Sequence, residues 1–270
     1  MHIYNEQFYN EQSTGSLSSA KKIVPIIKSI LSPNSVVDLG CGIGTWLSVF
    51  SEQGITDILG IDGPYVDENK LLIPRNCFLA GDLNEPPVVQ RTFDLAISLE
   101  VAEHIPDSSS DAFVNSLTSL SNAIVFSAAI PFQGGENHIN EQWPDYWSEK
   151  FITRGFIPVD FLRLDLWDDS SIEFWYRQNI IIYLHSDIAY NYTFPKAVIN
   201  TKPLSLVHPD QYLQKCKTFS NLENQLKSQQ ETILHLHNRI EELKDPSKNS
   251  TWDAFIFFVR TILKNKKTTI

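Results

Sequence analysis

Val36-Val37-Asp38-Leu39-Gly40-Cys41-Gly42-Ile43-Gly44-Thr45-Trp46-Leu47 is an apolar run that ends in an acid, breaks into three alternating glycines and then resumes apolar residues. It reads as strand, tight turn and helix. Ser35 to Leu39 supplies the β-branched run of a buried strand, and Thr45 to Phe50 carries apolar residues at helical spacing. Glycines between them let the backbone turn sharply and approach a ligand, and the helix that follows offers free N–H groups at its start. A small polar ligand is expected at this turn.

The register of the glycines narrows the ligand. A dinucleotide turn has glycines at its first, third and sixth positions, and counting from Gly40 puts Thr45 at the sixth, which disfavours nicotinamide cofactors. Asp38-Leu39-Gly40-Cys41-Gly42-Ile43-Gly44 instead resembles the first motif of class I S-adenosylmethionine-dependent methyltransferases. The next apolar run, Ile58-Leu59-Gly60-Ile61-Asp62, ends in a second acid, and a third run closes at Gly81-Asp82-Leu83. The resemblance implies an α/β, Rossmann-like seven-stranded and mostly parallel sheet with an antiparallel edge. It places Asp38, Gly40, Cys41, Gly42 and Gly44 around the methionine end of S-adenosyl-L-methionine. Asp62 and Gly63 would hold the ribose, Asp82 and the N–H of Leu83 the adenine edge, and Ser98 would add a contact from the fourth strand. A carboxylate at Asp62 can accept both ribose hydroxyls, and such bonds are strongest when the acceptor is ionised.

At 270 residues and 42% hydrophobic content the chain can bury one sizeable core with a segment to spare. A net charge of −10 argues against a partner held through nucleic-acid phosphates. Cys41, Cys77 and Cys216 are too scattered for a disulfide framework or a zinc set, so a reducing cytoplasm is expected. The N-terminus lacks the pattern of a signal peptide, and no apolar run is long enough to span a bilayer.

Along the chain, a helix is expected from Ser18 or Ser19 through Ile30 with Pro25 in its interior, preceded by Tyr4, Phe8 and Tyr9, which suit a lid or a pinned terminus. Leu71 to Ile73 and Cys77 to Ala80 suggest the third strand, Phe93 to Glu100 the fourth and Ala123 to Ser127 the fifth. Phe156 to Leu164 and Glu173 to Leu184 suggest the sixth and seventh, with no helix between them. The expected organisation is a methyltransferase domain over 1–185, a linker over 186–217, a coiled-coil or amphipathic helix over 218–245 and an apolar helix with a basic end over 250–270. Leu222, Leu226, Ile233, Leu236, Ile240 and Leu243 occupy the two core positions of a heptad, with Gln229 the polar exception. Three heptads are marginal alone, which points to a homo-oligomer or a partner enzyme. The segment from Trp252, with Lys264, Lys266 and Lys267 at its end, suits either a buried contact or a peripheral one at the inner membrane face.

The chemistry is expected at the end of the fourth strand, where an open α/β sheet presents its site. Glu100, Glu103 and His104 fall within one helical turn. The spacing resembles the metal-binding motif of ubiquinone-pathway O-methyltransferases and of small-RNA terminal 2′-O-methyltransferases, whose set a later histidine completes; here His138 is available. The resemblance implies Mg²⁺ or Mn²⁺ held by Glu100, Glu103, His104 and His138. Such an ion can chelate adjacent hydroxyls and lower the pKa of one. Without metal, His104 or His138 can act as general base, with Glu103 orienting His104. Glu-His after the fourth strand also occurs in methyltransferases that need no metal, so both readings stand. Trp143, Tyr146 and Trp147 suit stacking on a sugar face or anchoring of the loop.

Residues 1–185 resemble bacterial methyltransferase-domain proteins of the glycan and polysaccharide type. The expectation is an O-methyltransferase acting on a hydroxyl of a sugar or glycan intermediate. The alternatives are a phenolic or lipid-like metabolite, or a non-catalytic scaffold that keeps the cofactor fold.

Overall fold

The computed structural model describes residues 6–194, 198–199, 203–244 and 250–266, and divides the chain into two units, 1–211 and 212–270. In the first, a long helix α1 (Glu6–Leu31) leads into β1 (Ser35–Leu39), α2 (Thr45–Glu52), β2 (Asp57–Asp62), β3 (Phe78–Ala80) and β4 (Leu95–Leu99). Then follow α3 (Ser110–Leu120), β5 (Ala123–Ser127), α4 (Pro144–Ile152), β6 (Phe156–Asp160), α5 (Leu162–Leu166), α6 (Phe174–Asn179), β7 (Ile181–His185), α7 (Ser186–Ala189) and β8 (Val198–Ile199). The sheet order is β3-β2-β1-β4-β5-β7-β6-β8. β3 through β5 run parallel, whereas β7 is antiparallel to β5 and to β6. This is the Rossmann-like methyltransferase sheet with an antiparallel edge, to which β8 adds a two-residue strand along β6.

Two cores flank the sheet. Successive strand residues point to opposite faces, so Val36, Leu95, Ile97 and Val125 pack with α1 and α2, and Val37, Leu39, Ala96 and Ile124 pack with α3 and α4. Strands buried on both faces read as continuous apolar runs, which is why β1, β4 and β5 are apolar almost throughout.

Several expectations are corrected. α1 already runs from Glu6, and Ser18 and Ser19 sit inside it with both hydroxyls donating to the Gly15 carbonyl rather than capping a start. Gly15 is tolerated in the helix because a Cβ there would lie 2.6 Å from Glu173 Oε1. Tyr4 and the side chains of Phe8 and Tyr9 lie outside the described residues. Leu71 to Ile73 form no strand; Ile73 instead packs against Gly44. The sixth strand stops at Asp160, where the carboxylate takes the guanidinium of Arg163 three residues on and the chain winds into α5. Half of the expected seventh strand is α6, so two short helices separate β6 from β7. An apolar run this short does not distinguish strand from helix by its period.

Residues 186–217, read as a linker, carry α7, β8 and the start of α8 (Pro209–Lys244). Arg163 donates to the Leu204 carbonyl, and His208 and Gln211 are buried against Gln178. In the second unit, α8 continues to Lys244 and α9 spans Ser250–Lys266. No described helix is long and apolar enough to cross a membrane.

Candidate active site at the carboxyl edge of the sheet

The glycine turn adopts the backbone its sequence requires. Gly40, Gly42 and Gly44 all have positive φ, at 92°, 55° and 85°, the region open to glycine at little cost. Gly40 and Cys41 donate their N–H groups to the Ile61 carbonyl, which pins the turn across the end of β2. A Cβ on Gly40 would meet Val101 at 2.4 Å, whereas one on Gly42 would meet nothing within 4 Å. The backbone at Gly42 thus borders open space at the edge where a ligand is expected.

Asp62 closes that space. Its carboxylate accepts the N–H of Gly42 at 2.6 Å, the N–H of Gly63 at 2.6 Å and the Tyr65 hydroxyl at 2.6 Å. Gly63 is required because a side chain would run into the Tyr65 ring. Asp38 lies buried beneath the turn, where desolvation, helped by Asp62, raises its carboxyl well above the usual range. Burial likewise raises the Cys41 thiol, which makes it a poor nucleophile. Asp82 accepts the backbone and side-chain N–H groups of Asn84, both at 2.8 Å, and holds an exposed turn beside the buried Leu83. Ser98 is wholly buried and donates to the Leu39 carbonyl at 2.7 Å, so it ties β4 to β1 instead of facing a ligand.

A second cluster sits beyond β4. The chain leaves the strand through Glu100 at φ 56°, a conformation unusual for a residue with a Cβ. Glu100 is expected in the metal set, yet its carboxylate accepts Gln133 Nε2 at 2.8 Å and Asn179 Nδ2 at 3.0 Å. Burial still raises this carboxyl to about 7. Glu100 is therefore engaged by amides and stands apart from the cluster made by Glu103, His104 and His138, whose ligand atoms lie within 4.8 Å of one another.

Each member of that cluster is oriented by the loop 128–143. The Glu103 carbonyl accepts the N–H groups of Ile139 and Asn140, both at 3.0 Å, which lays the loop over the helical turn Ala102–His104. Glu141 accepts the N–H groups of Phe132 and Gly134 and pairs with His138 Nδ1 at 2.9 Å, which turns His138 Nε2 toward Glu103 Oε1 at 3.9 Å. The Asn137 carbonyl meets His104 Nδ1 at 3.3 Å. The Glu103 side chain is 1% exposed, and its oxygens have only the backbone N–H groups of Glu103 and Ala129 bearing on them, without close hydrogen-bond geometry. Desolvation, with Glu100 adding to it, holds its carboxyl well above the usual range, and burial holds the His104 imidazole below its own.

Glu141, Gln133 and Asn179 are absent from the sequence reading. Glu141 had a signal in its spacing of three residues from His138, whereas Asn179 lies on a helix read as strand. Trp147 is buried against Phe126, so it anchors the loop rather than meeting a substrate. Trp143 stays exposed, and the Tyr146 hydroxyl donates to Asp107.

A parallel sheet with a glycine turn after its first strand, an acid after its second and an antiparallel β7 inserted beside β5 fits the class I methyltransferase fold. The methyltransferase-domain family matches residues 12–158, and the chain belongs to it. Among solved structures, an O-methyltransferase assigned in Nostoc punctiforme is 16% identical with a TM-score of 0.51, over 66% of this chain and 59% of its own. The chain thus spans less than two thirds of that protein. Streptomyces venezuelae DesVI is 14% identical over 67% of this chain and 96% of its own, with a TM-score of 0.49. Magnesium protoporphyrin IX methyltransferase of Synechocystis, with S-adenosylhomocysteine bound, is 16% identical over 64% and 84%, at 0.45. No curated protein matches the chain.

Two glycines of the turn separate folding from binding. Gly42→Ala meets no protein atom and costs only the left-handed backbone, about 1–2 kcal/mol. It is expected to stay folded while losing affinity for S-adenosylmethionine at least about tenfold, since about 1.4 kcal/mol lost to the intruding methyl suffices. Gly40→Ala drives a methyl into Val101 and is expected to lower the melting temperature as well. Thermal melts alongside calorimetric titration read both, and a Gly42→Ala protein that binds normally would place the ligand elsewhere.

Proposed function

We propose that the chain is an S-adenosylmethionine-dependent O-methyltransferase acting on a hydroxyl of a sugar or glycan intermediate, assisted by a divalent cation. The observation that carries the metal assignment is the cluster of Glu103, a buried carboxylate without a side-chain hydrogen-bond partner, with His104 and His138, their ligand atoms within 4.8 Å of one another. An acid so placed is costly unless a cation partners it. The donor set of one carboxylate and two imidazoles suits Mn²⁺ or another first-row ion, and Mg²⁺ less well, because Mg²⁺ prefers oxygen ligands. Glu141 on His138 and the Asn137 carbonyl on His104 are the outer partners that fix such rings.

The residues divide the work. Gly42 leaves room for the methionine end, and Asp62 offers its carboxylate to the ribose, where a hydroxyl would replace the Tyr65 hydroxyl now on Oδ1. Bound there, the cofactor supplies a methyl on a positively charged sulfur, and the cation supplies Lewis acidity toward the acceptor hydroxyl. His104, kept neutral by burial and held through Nδ1 by the Asn137 carbonyl, offers Nε2 to the cation; only with that nitrogen unligated could it take the hydroxyl proton. Trp143 and Phe132, exposed on the loop that carries His138, present flat apolar rings to the C–H face of a sugar. The neutral His104 also favours a second reading, a histidine base without metal, which would suit a phenolic or lipid-like acceptor.

The test is transfer of labelled methyl to a panel of nucleotide sugars, glycans and phenols, with Mn²⁺ or Mg²⁺ and with EDTA. Metal-dependent labelling of a diol-bearing sugar, lost in His138→Ala, supports the proposal. Labelling of phenols that EDTA does not touch supports the histidine base, and no labelling of any hydroxyl overturns the O-methyl assignment.

A further inference from the structure

We propose that α8 joins a second copy of this chain in a parallel, in-register, two-stranded coiled coil. The inference concerns the second unit alone and is independent of the methyl-transfer reading. α8 is 36 residues long, about 54 Å at 1.5 Å per residue. Phe219, Leu222, Leu226, Ile233, Leu236 and Ile240 share one seam along it and are each 50–66% exposed. The spacing alternates three and four residues once the polar Gln229 between Leu226 and Ile233 is counted, and Leu243 continues it in the sequence. A helix with a full heptad stripe left in water lacks the packing that stabilises most helices.

The residues on the seam select the occupant. Writing Phe219, Leu226, Ile233 and Ile240 as position a puts Leu222, Leu236 and Leu243 at d, and in the C-terminal half of the seam β-branched a (Ile233, Ile240) with Leu at d favours two parallel strands. Gln229 falls at d in the middle of the seam. In register with its own copy, each Gln229 meets the other, and the paired amides can satisfy donor and acceptor. Two chains aligned antiparallel over 219–243 would set Gln229 against Ile233 and bury the amide unpaired. The flanking positions are sparsely charged through the middle of the seam: Gln225, Gln230 and Thr232 are uncharged, charge stands only toward its ends at Glu223, Arg239 and Lys244, and Arg239 is paired with Glu242 of its own helix at 2.9 Å.

Light scattering on the full-length chain decides the stoichiometry. A mass of two chains is expected, and one chain with Ile233→Lys, whose melting is checked to show that the rest stays folded. A second variant, Leu236→Cys with the exposed Cys216 changed to serine, is expected to form an interchain disulfide on mild oxidation. The proposal is overturned by a wild-type mass of one chain or of three or more. It also fails if Ile233→Lys remains dimeric, if Leu236→Cys does not cross-link, or if a different protein occupies the seam.

Discussion

Asp62→Ala is expected to abolish S-adenosylmethionine binding in a protein that still folds. The carboxylate stands at the end of β2, with both oxygens turned toward the glycine turn and its neighbour, where they accept two backbone N–H groups and one hydroxyl. A ribose would bring its two hydroxyl donors to the same acceptor, one of them in place of the Tyr65 hydroxyl. Hydrogen bonds to a charged group contribute about 1.5–3 kcal/mol each. Losing two of them weakens binding by at least about a hundredfold, because each 1.4 kcal/mol is a factor of ten. The substitution also removes a neighbouring charge from the buried Asp38, whose carboxyl Asp62 helps to raise, so part of the stability lost at the turn is regained beneath it. Calorimetric titration reads the affinity and a thermal melt reads the fold. Asp62→Asn separates shape from charge: it keeps one acceptor oxygen, and its affinity is expected to fall between those of the wild type and the alanine variant. An alanine variant that binds normally would remove the ribose from this site and with it the assignment of the glycine turn.

The parts of this site legible in the sequence are those made by residues close together in the chain. A glycine turn between strand and helix is local chemistry, and the acid ending each following strand arrives at the same edge because parallel strands share a direction. Glu103 and His104 are neighbours, and His138 could be placed because the loop after β5 must leave from that edge. What stayed hidden is tertiary. Glu100 has the right type and spacing for a ligand, but amides of Gln133 and Asn179 reach it from a loop and a helix far along the chain. The linker expectation failed for a similar reason. Prolines and broken periodicity in a sequence do not say whether side chains far along the chain fix the backbone. Here Arg163, Arg177 and Gln178 bond Leu204, His208, Asp210 and Gln211. Ser98 shows the opposite error, since a residue at the correct edge can spend its only donor on a carbonyl of the adjacent strand.

Glu103→Gln is expected to do two things that no purely structural role for Glu103 would produce together: flatten the pH dependence of stability and remove the response to metal. The Glu103 carboxyl is raised above its unfolded value by burial, with Glu100 and Glu141 adding to it. A group raised in this way contributes stability that is fully present below its unfolded pKa and lost as pH rises through the folded one. In EDTA Glu103 is therefore expected to lower the wild type's stability as pH rises above its unfolded pKa, at up to about 1.4 kcal/mol per pH unit for one proton, against the opposite slope of His104, which burial holds below its ordinary value. Glu100, raised to about 7, adds a slope in the same direction. The two carboxyls interact, so the difference between the two slopes belongs to the pair and includes the easing of Glu100 when the Glu103 charge is removed. Glutamine preserves the shape and can donate to His138 Nε2, which faces Glu103 Oε1 across 3.9 Å with Nδ1 held by Glu141. A cation reverses the pH effect in the wild type, because it takes the deprotonated carboxylate and neutral imidazoles. Mn²⁺ at a hundredfold excess over its dissociation constant would add about 2.7 kcal/mol. The variant is expected to show little of that gain and to lose metal-dependent methyl transfer, while S-adenosylmethionine still binds at Asp62. Equal pH slopes in the two proteins would deny Glu103 its buried charge. A wild type that Mn²⁺ does not stabilise would leave His104 to take the proton unaided.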